Sequence, residues 1–321
     1  QPFGNNTQYN GDLDAERMVL LFGYKFNNKT SFISEIEIEH IKEVYLEQAF
    51  LNYQAKPWLN VQAGLLLIPM GLMNEYHEPT IFNGVNRPVI SNALYPSTWR
   101  EIGAGIAGNL PSAALRYQLY LVNGPMSYDN GAKLKGSEPL RGARQKGAQS
   151  TMTRPDLSGK INYYGIKGFD IGLAGYVGTT ESSLFENIHR DSISQMARAD
   201  SSIVGVQMVG FDFRYQAKKL QAKGELFFSN FTNTSSYNAF TERDLGSSMF
   251  GYYGEVGYDV SSLLGMQKKI VPFVRYSQYN THQSVDESMM PNKAYDRTVV
   301  TAGFSFFLND AVVIKADYQN F

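Results

Sequence analysis

The sequence predicts an all-β protein, an antiparallel transmembrane β-barrel, on three observations. Segments of about 10 to 14 residues that alternate apolar with polar side chains recur along the whole chain, whereas helical periodicity is scarce. These segments are long against the usual strand of roughly 5 to 6 residues. The connections between them alternate tight turns with long polar stretches, the pattern of a barrel with turns on one side of a membrane and loops on the other.

The expected strands are, in order, 13–26, 30–41, 43–55, 58–68, 98–109, 112–124, 153–164, 168–179, 200–216, 218–231, 246–260, 268–282, 294–308 and 311–321. Tight turns fall at 27–29, 56–57, 111–112, 166–168, 217–218 and 309–310, with a somewhat longer one at 261–267. Between them come long polar segments at 69–97, 125–152, 180–199, 232–245 and 283–293. The hairpin near Ile41 is short where a long connection is due. Closure has a physical reason, because no backbone N–H or C=O can stay unpaired in hydrocarbon. A single barrel domain over 1–321 is therefore expected. The strand parity places Gln1 and Phe321 on the loop side, and Phe321 shares the phase of Lys315 and Asp317 rather than that of Ile314 and Tyr318. With both ends on the loop side, the expectation for the intact protein is one more strand at each end, making about sixteen.

Parity also separates the faces. On 112–124, Leu115, Tyr117, Leu119 and Leu121 face outward while Arg116, Gln118 and Tyr120 face inward. On 218–231, Leu220, Ala222, Leu226 and Phe228 oppose Gln221, Lys223 and Glu225. The segments 268–282 and 311–321 repeat this, with Arg275, Ser277, Lys315 and Asp317 inward. Tyr24, Phe26, Trp58, Tyr163, Phe169, Tyr215, Tyr258 and Phe304, near strand ends, suit two interfacial girdles.

The second segment, "SFISEIEIEH", puts Ile36 and Ile38 outward and Glu35, Glu37 and Glu39 inward. Glu43 and Glu47 join them if the third strand keeps the phase of Tyr45. With Phe26 paired to Thr30 across the turn, Arg17 falls opposite Glu39, a stabilising cross-strand pair. Arg116, Lys160, Lys223, Glu225 and Arg275 complete the inward charges expected to line the pore.

The segment 69–97 is too apolar for a solvated loop, because Met70, Leu72, Met73, Ile81, Phe82 and Ile90 need cover. It is expected to fold into the lumen and narrow it, presenting Glu75, His77, Glu78 and Arg87. The segment 125–152, basic and glycine-rich, is expected to be a mobile external loop. "DSI" at Asp191 resembles the short O-glycosylation sites of exported Bacteroidota proteins.

Composition excludes several functions. With 29 basic and 30 acidic residues, no broad basic field exists to attract nucleic acid. There is no cysteine, and the four histidines are far apart, so neither a thiolate site nor a histidine metal site is indicated. No nucleophile with a base in reach and no phosphate-cradling loop can be assembled; no cofactor is expected, and no enzyme. No apolar run reaches the 18 or more residues of a membrane helix.

Residues 43–108, with "EVYLEQ", "QAGLLLIPMG" and "PSTWREIGAGIAG", followed by "LRYQLYLVNG", resemble the phosphate-selective porin O and P family in its Bacteroidota form. The resemblance implies a sixteen-stranded outer-membrane porin of a Gram-negative bacterium with a loop entering the lumen. In one respect the chain departs from the family, whose phosphate-selective members carry an arginine ladder and a lysine cluster. Here Arg17, Arg116, Lys160, Lys223 and Arg275 are scattered among glutamates, and an acidic wall repels a polyanion. The expected function is passive diffusion of small hydrophilic solutes, with outer-membrane lipid and lipopolysaccharide as surroundings. The alternative is a non-conducting barrel within a larger complex of outer-membrane proteins or lipoproteins.

Overall fold

The computed structural model describes residues 11, 13–76, 79, 81–186, 188 and 192–321. Its strands are β1 (Arg17–Lys25), β2 (Thr30–Glu39), β3 (Glu43–Lys56), β4 (Leu59–Leu67), β5 (Arg100–Leu110), β6 (Leu115–Val122), β7 (Met126–Tyr128), β8 (Asp156–Tyr163), β9 (Phe169–Thr179), β10 (Glu181–Ser182), β11 (Gly205–Ala217), β12 (Leu220–Thr232), β13 (Ser248–Tyr258), β14 (Ile270–Ser284), β15 (Asp296–Asn309) and β16 (Val312–Asn320). Four short helices are α1 (Leu72–Glu75), α2 (Ile90–Ala93), α3 (Ile193–Ser201) and α4 (Thr234–Thr241). None is long and apolar enough to cross a membrane.

Fourteen strands form one sheet in which neighbours in space are neighbours in sequence. Every pairing in it is antiparallel. The remaining two, β7 and β10, pair with each other in parallel within the loops. Each expected segment overlaps one strand of the large sheet, with ends that differ by a few residues. The ninth starts later than expected, at Gly205, because α3 occupies the residues before it. The helices α3 and α4 sit in the polar connections, where no apolar stripe marks them.

Between β1 and β2 the Phe26 N–H donates to the Thr30 carbonyl at 3.0 Å, while Asn27 Oδ1 accepts from the N–H groups of Lys29 and Thr30. This turn sets the register, and Arg17 stands opposite Glu39 as expected.

Alternation of burial gives the sheet two faces. In β8, Asp156, Ser158 and Lys160 are buried while Leu157, Ile161 and Tyr163 are exposed. The exposed row continues around the sheet through Leu119, Leu173, Val209, Phe228, Val274 and Ile314. An apolar belt of this kind is costly in water, at about 25 cal/mol per Å² of apolar surface, and is at home in hydrocarbon. The eight strand-end aromatics all lie toward the turn end, where Phe169 and Tyr215 have ring centroids 4.3 Å apart. Period-two parity carries no information on height, so it does not reveal that all eight fall in the turn-end half of their strands or in the turns themselves.

The buried core lies on the other face. Met70, Leu72, Met73, Phe82 and Ile90 of the β4–β5 connection pack with Phe50, Leu66, Tyr120, Tyr176, Met208 and Phe227 of the strands. The segment 125–152 is not the mobile external loop expected of it. Leu134, Leu140 and Ala143 are buried in the same cluster, and Tyr237 of α4 donates to the Ser127 carbonyl and accepts from the Leu134 N–H. Three small apolar anchors among many charges are a weak signal in sequence, but together they remove enough surface from water to dock the loop.

Candidate functional site

The interior begins at the loop end with the acidic strands. Arg17 reaches Glu39 at 2.7 Å and Glu37 at 2.9 Å. Across the β2–β3 ladder, Glu39 stands opposite Glu43, Glu37 opposite Tyr45 and Glu35 opposite Gln48, whose amide donates to Glu35 at 2.6 Å. A bulge between Glu35 and Ile36 leaves Glu47 as the extra residue of β3. Glu47 and Gln48 both turn inward there, and Arg100 closes on Glu47 at 2.8 Å. All five glutamates stand on the inner face, but Glu35, Glu37 and Glu47 are buried there while Glu39 and Glu43 stay partly open, and Val44 and Leu46 are exposed on the outer.

Deeper in, the inward charges anchor the β4–β5 connection. Lys160 holds Glu75 at 2.5 Å and Asp212 at 2.6 Å, and Gln118 also donates to Glu75. Lys223, Glu255 and Arg275 form a cross-strand row over β12, β13 and β14. Glu255 accepts from Lys223 at 3.0 Å, from Arg275 at 2.5 Å and from Asn83 at 2.9 Å. Tyr95 and Tyr253 both donate to Glu225. Lys315 donates to the carbonyls of Pro79 and Phe82, and Asp317 accepts from the Val85 N–H at 2.6 Å. Lys160, Glu225 and Arg275, expected to line the pore, lie on the inner wall but are sealed under the connection and do not face open water. Burying a charge costs several kcal/mol unless a partner compensates it, so each has found one.

Arg116 sits toward the turn end, where it and Arg214 share Asp170. His77, Glu78 and Asp191 lie outside the described residues. Sequence reasoning missed Asp212, Glu255, Asn83 and Tyr95. The first two had a legible signal, being in the inward phase of their strands; the others depend on how the connection folds.

At the loop end these groups surround a cavity of about 610 Å³. Arg17, Arg87, Arg100, Arg141, Arg144, Lys146 and His40 line it, against four acidic side chains, Glu16, Glu39, Glu43 and Glu47. Three of the cations come from the β6–β8 connection, so the docking of that loop is what brings positive charge over the acidic strands. Burial draws Arg144 down to about 10, with Arg141 and Arg100 adding to the effect. Burial likewise lowers Lys146, and Arg144 beside it acts in the same direction.

The chain is 30% identical over 319 residues to an uncharacterized protein of Aquifex aeolicus (strain VF5), a match that takes in 95% of this chain and 70% of that protein. The chain belongs to that protein's family. No family model matches it. Among solved structures, this member of the Aquifex protein's family is similar to OmpF of Salmonella typhi in complex with daunomycin, at 10% identity and a TM-score of 0.58 over 94% of this chain and 81% of that one. It is similar to the outer membrane channel DcaP of Acinetobacter baumannii, at 11% identity and 0.58 over 96% and 78%. The third is an anion-selective porin from Comamonas acidovorans, at 10% and 0.55 over 94% and 77%. At such identities the likeness is one of fold: the Aquifex-family chain has the antiparallel architecture of the porin β-barrels.

Proposed function

We propose that the protein is an outer-membrane porin of a Gram-negative bacterium, passing small hydrophilic solutes by diffusion through a mixed-charge interior that segment 69–97 narrows. The observation that carries this reading is the division of one long antiparallel sheet into an apolar outer belt and an inner face of ion pairs around a charged cavity. Lipid and lipopolysaccharide cover the first face, and water enters the cavity at the loop end of the second. Glu39, Glu43, Arg17 and Arg116 then line the path, with Arg87 at its narrow part, while Glu35, Glu37 and Glu47 are buried behind them. The resemblance of 43–108 to the porin O and P family supports the architecture. The glutamates of β2 and β3 argue against a polyanionic cargo.

The test is single-channel conductance of the purified protein in planar bilayers. Discrete steps that scale with salt concentration support the channel, and silence at every voltage counts against it.

A second reading, a closed barrel serving as a structural subunit of a larger complex, is favoured by one observation. Met70, Met73, Ile90, Tyr95 and Trp99 are all fully buried, so an apolar plug packs against the inner wall. Co-purification with other barrels or lipoproteins, together with electrical silence, supports it.

A further inference from the structure

The loop-end cavity carries cations from the docked connection on one side and, on the other, glutamates of the first strands together with Arg17 and His40. On one side Arg141, Arg144 and Lys146 come from the docked β6–β8 connection. Arg141 donates to Asn92 Oδ1 at 2.5 Å, and Arg144 to the Ser97 carbonyl at 2.7 Å and the Arg141 carbonyl at 3.1 Å. Among the described residues these are neutral oxygens; of the two acids nearest Arg144, Glu47 is held by Arg100 and Glu101 accepts from Asn123 and the Gln145 N–H. A like-charge cluster partly withdrawn from water is costly until an anion joins it.

On the other side stand Glu16, Glu39 and Glu43. Glu39 is engaged by Arg17, with Glu16 3.9 Å from the same guanidinium; among the described residues the hydrogen bond to Glu43 comes from the Tyr45 hydroxyl, at 2.5 Å, and His40 lies near both Glu39 and Glu43. Tyr45 joins the two walls. Arg100 and Lys146 lie over its ring, 5.7 and 5.3 Å from the centroid, while its hydroxyl end carries the Glu43 carboxylate.

We propose that this cavity is a binding site for a small zwitterion, an amino acid or short peptide, whose carboxylate meets Arg144 and Lys146 and whose ammonium meets Glu43. A polyanion placed against the cations has Glu43 and Glu39 across the same space, and a cation placed against the glutamates has Arg141 and Arg144. Only a solute bearing both charges satisfies both walls. The volume is that of a pocket for a molecule of several residues. The assignment supplies a solute class for the channel reading above and rests on it, but binding is measurable without conduction.

The experiment is titration calorimetry of the intact protein in detergent with trialanine, N-acetyl-trialanine, trialanine amide and inorganic phosphate at one ionic strength. Trialanine is expected to bind at least about tenfold more tightly than either blocked peptide or phosphate, which is about 1.4 kcal/mol for each terminus. Glu43→Gln lowers trialanine to the level of the acetylated peptide and leaves the acetylated peptide unchanged. Lys146→Gln lowers trialanine toward the amide and leaves the amide unchanged. Equal or tighter binding of N-acetyl-trialanine or phosphate overturns the proposal in favour of an anion site. Equal or tighter binding of the amide overturns it in favour of a cation site, and no binding of any peptide removes the site. Peptide binding by a protein silent in bilayers sinks only the channel reading, whereas conductance without peptide binding sinks only this one.

Discussion

Replacing Glu255 with Gln removes the charge at the centre of the Lys223–Glu255–Arg275 row and slackens the anchor of the 79–87 stretch. Glu255 and Arg275 are almost wholly withdrawn from solvent, with side-chain exposures of 0% and 2%, so little screening softens the loss. Removing one partner of a buried pair costs about 3–5 kcal/mol. Glutamine keeps one oxygen to accept from Arg275 or Asn83, which puts the expected cost near the lower bound, about 3 kcal/mol. At roughly 2 °C per kcal/mol for a large domain, the thermal midpoint in detergent falls by about 6 °C. Arg116→Gln, which disturbs a half-exposed pair at the turn end, costs about 0–1 kcal/mol and serves as the comparison. On the proposed channel reading, Glu255→Gln also gives larger current fluctuations in bilayers, because Asn83 loses its charged acceptor. An unchanged midpoint, or equal effects of the two substitutions, refutes the argument that this row anchors the connection.

Trp99→Ala, at a fully buried ring 4.8 Å from the Tyr176 ring, is expected to cost about 3–5 kcal/mol by chemical denaturation. Val209→Arg on the outer belt costs about 2–4 kcal/mol in lipid, whereas Gln216→Arg on the inner face of the same strand is nearly neutral; equal costs contradict the assignment of faces. The His40 titration midpoint measured by NMR lies above 6.5, because Asp14 accepts from its ring and favours the charged form, and Asp14→Asn brings it down. The sign follows: what that contact adds to stability is present below the unfolded pKa of about 6.5 and is lost as pH rises through the higher folded value.

Most of the strand order was legible in the chain because side chains on a strand alternate strictly. From "SEIEIEH" alone, Glu35, Glu37 and Glu39 share a face, and the "NNK" turn carries that phase to Arg17. Parity therefore placed Lys160, Lys223, Glu225 and Arg275 on the inner wall. Whether those groups meet water or another chain segment was not legible. That depends on contacts between distant residues, such as Asn83 with Glu255, 172 positions apart, which form only when the curved sheet brings its far strands around the connection.

The basic 125–152 segment makes the same point. Charge and glycine suggested a loop in solvent, while Leu134, Leu140 and Ala143 are buried against other parts of the chain. Their docking carries Arg141, Arg144 and Lys146 over the acidic strands. The amino-acid sequence by itself determined the barrel-type sheet, its two faces and its register, since covalent geometry and local turns govern these. Only the tertiary structure decided which charges are sealed in pairs and which surround the cavity, since buried charges are satisfied by whatever partner the packing delivers.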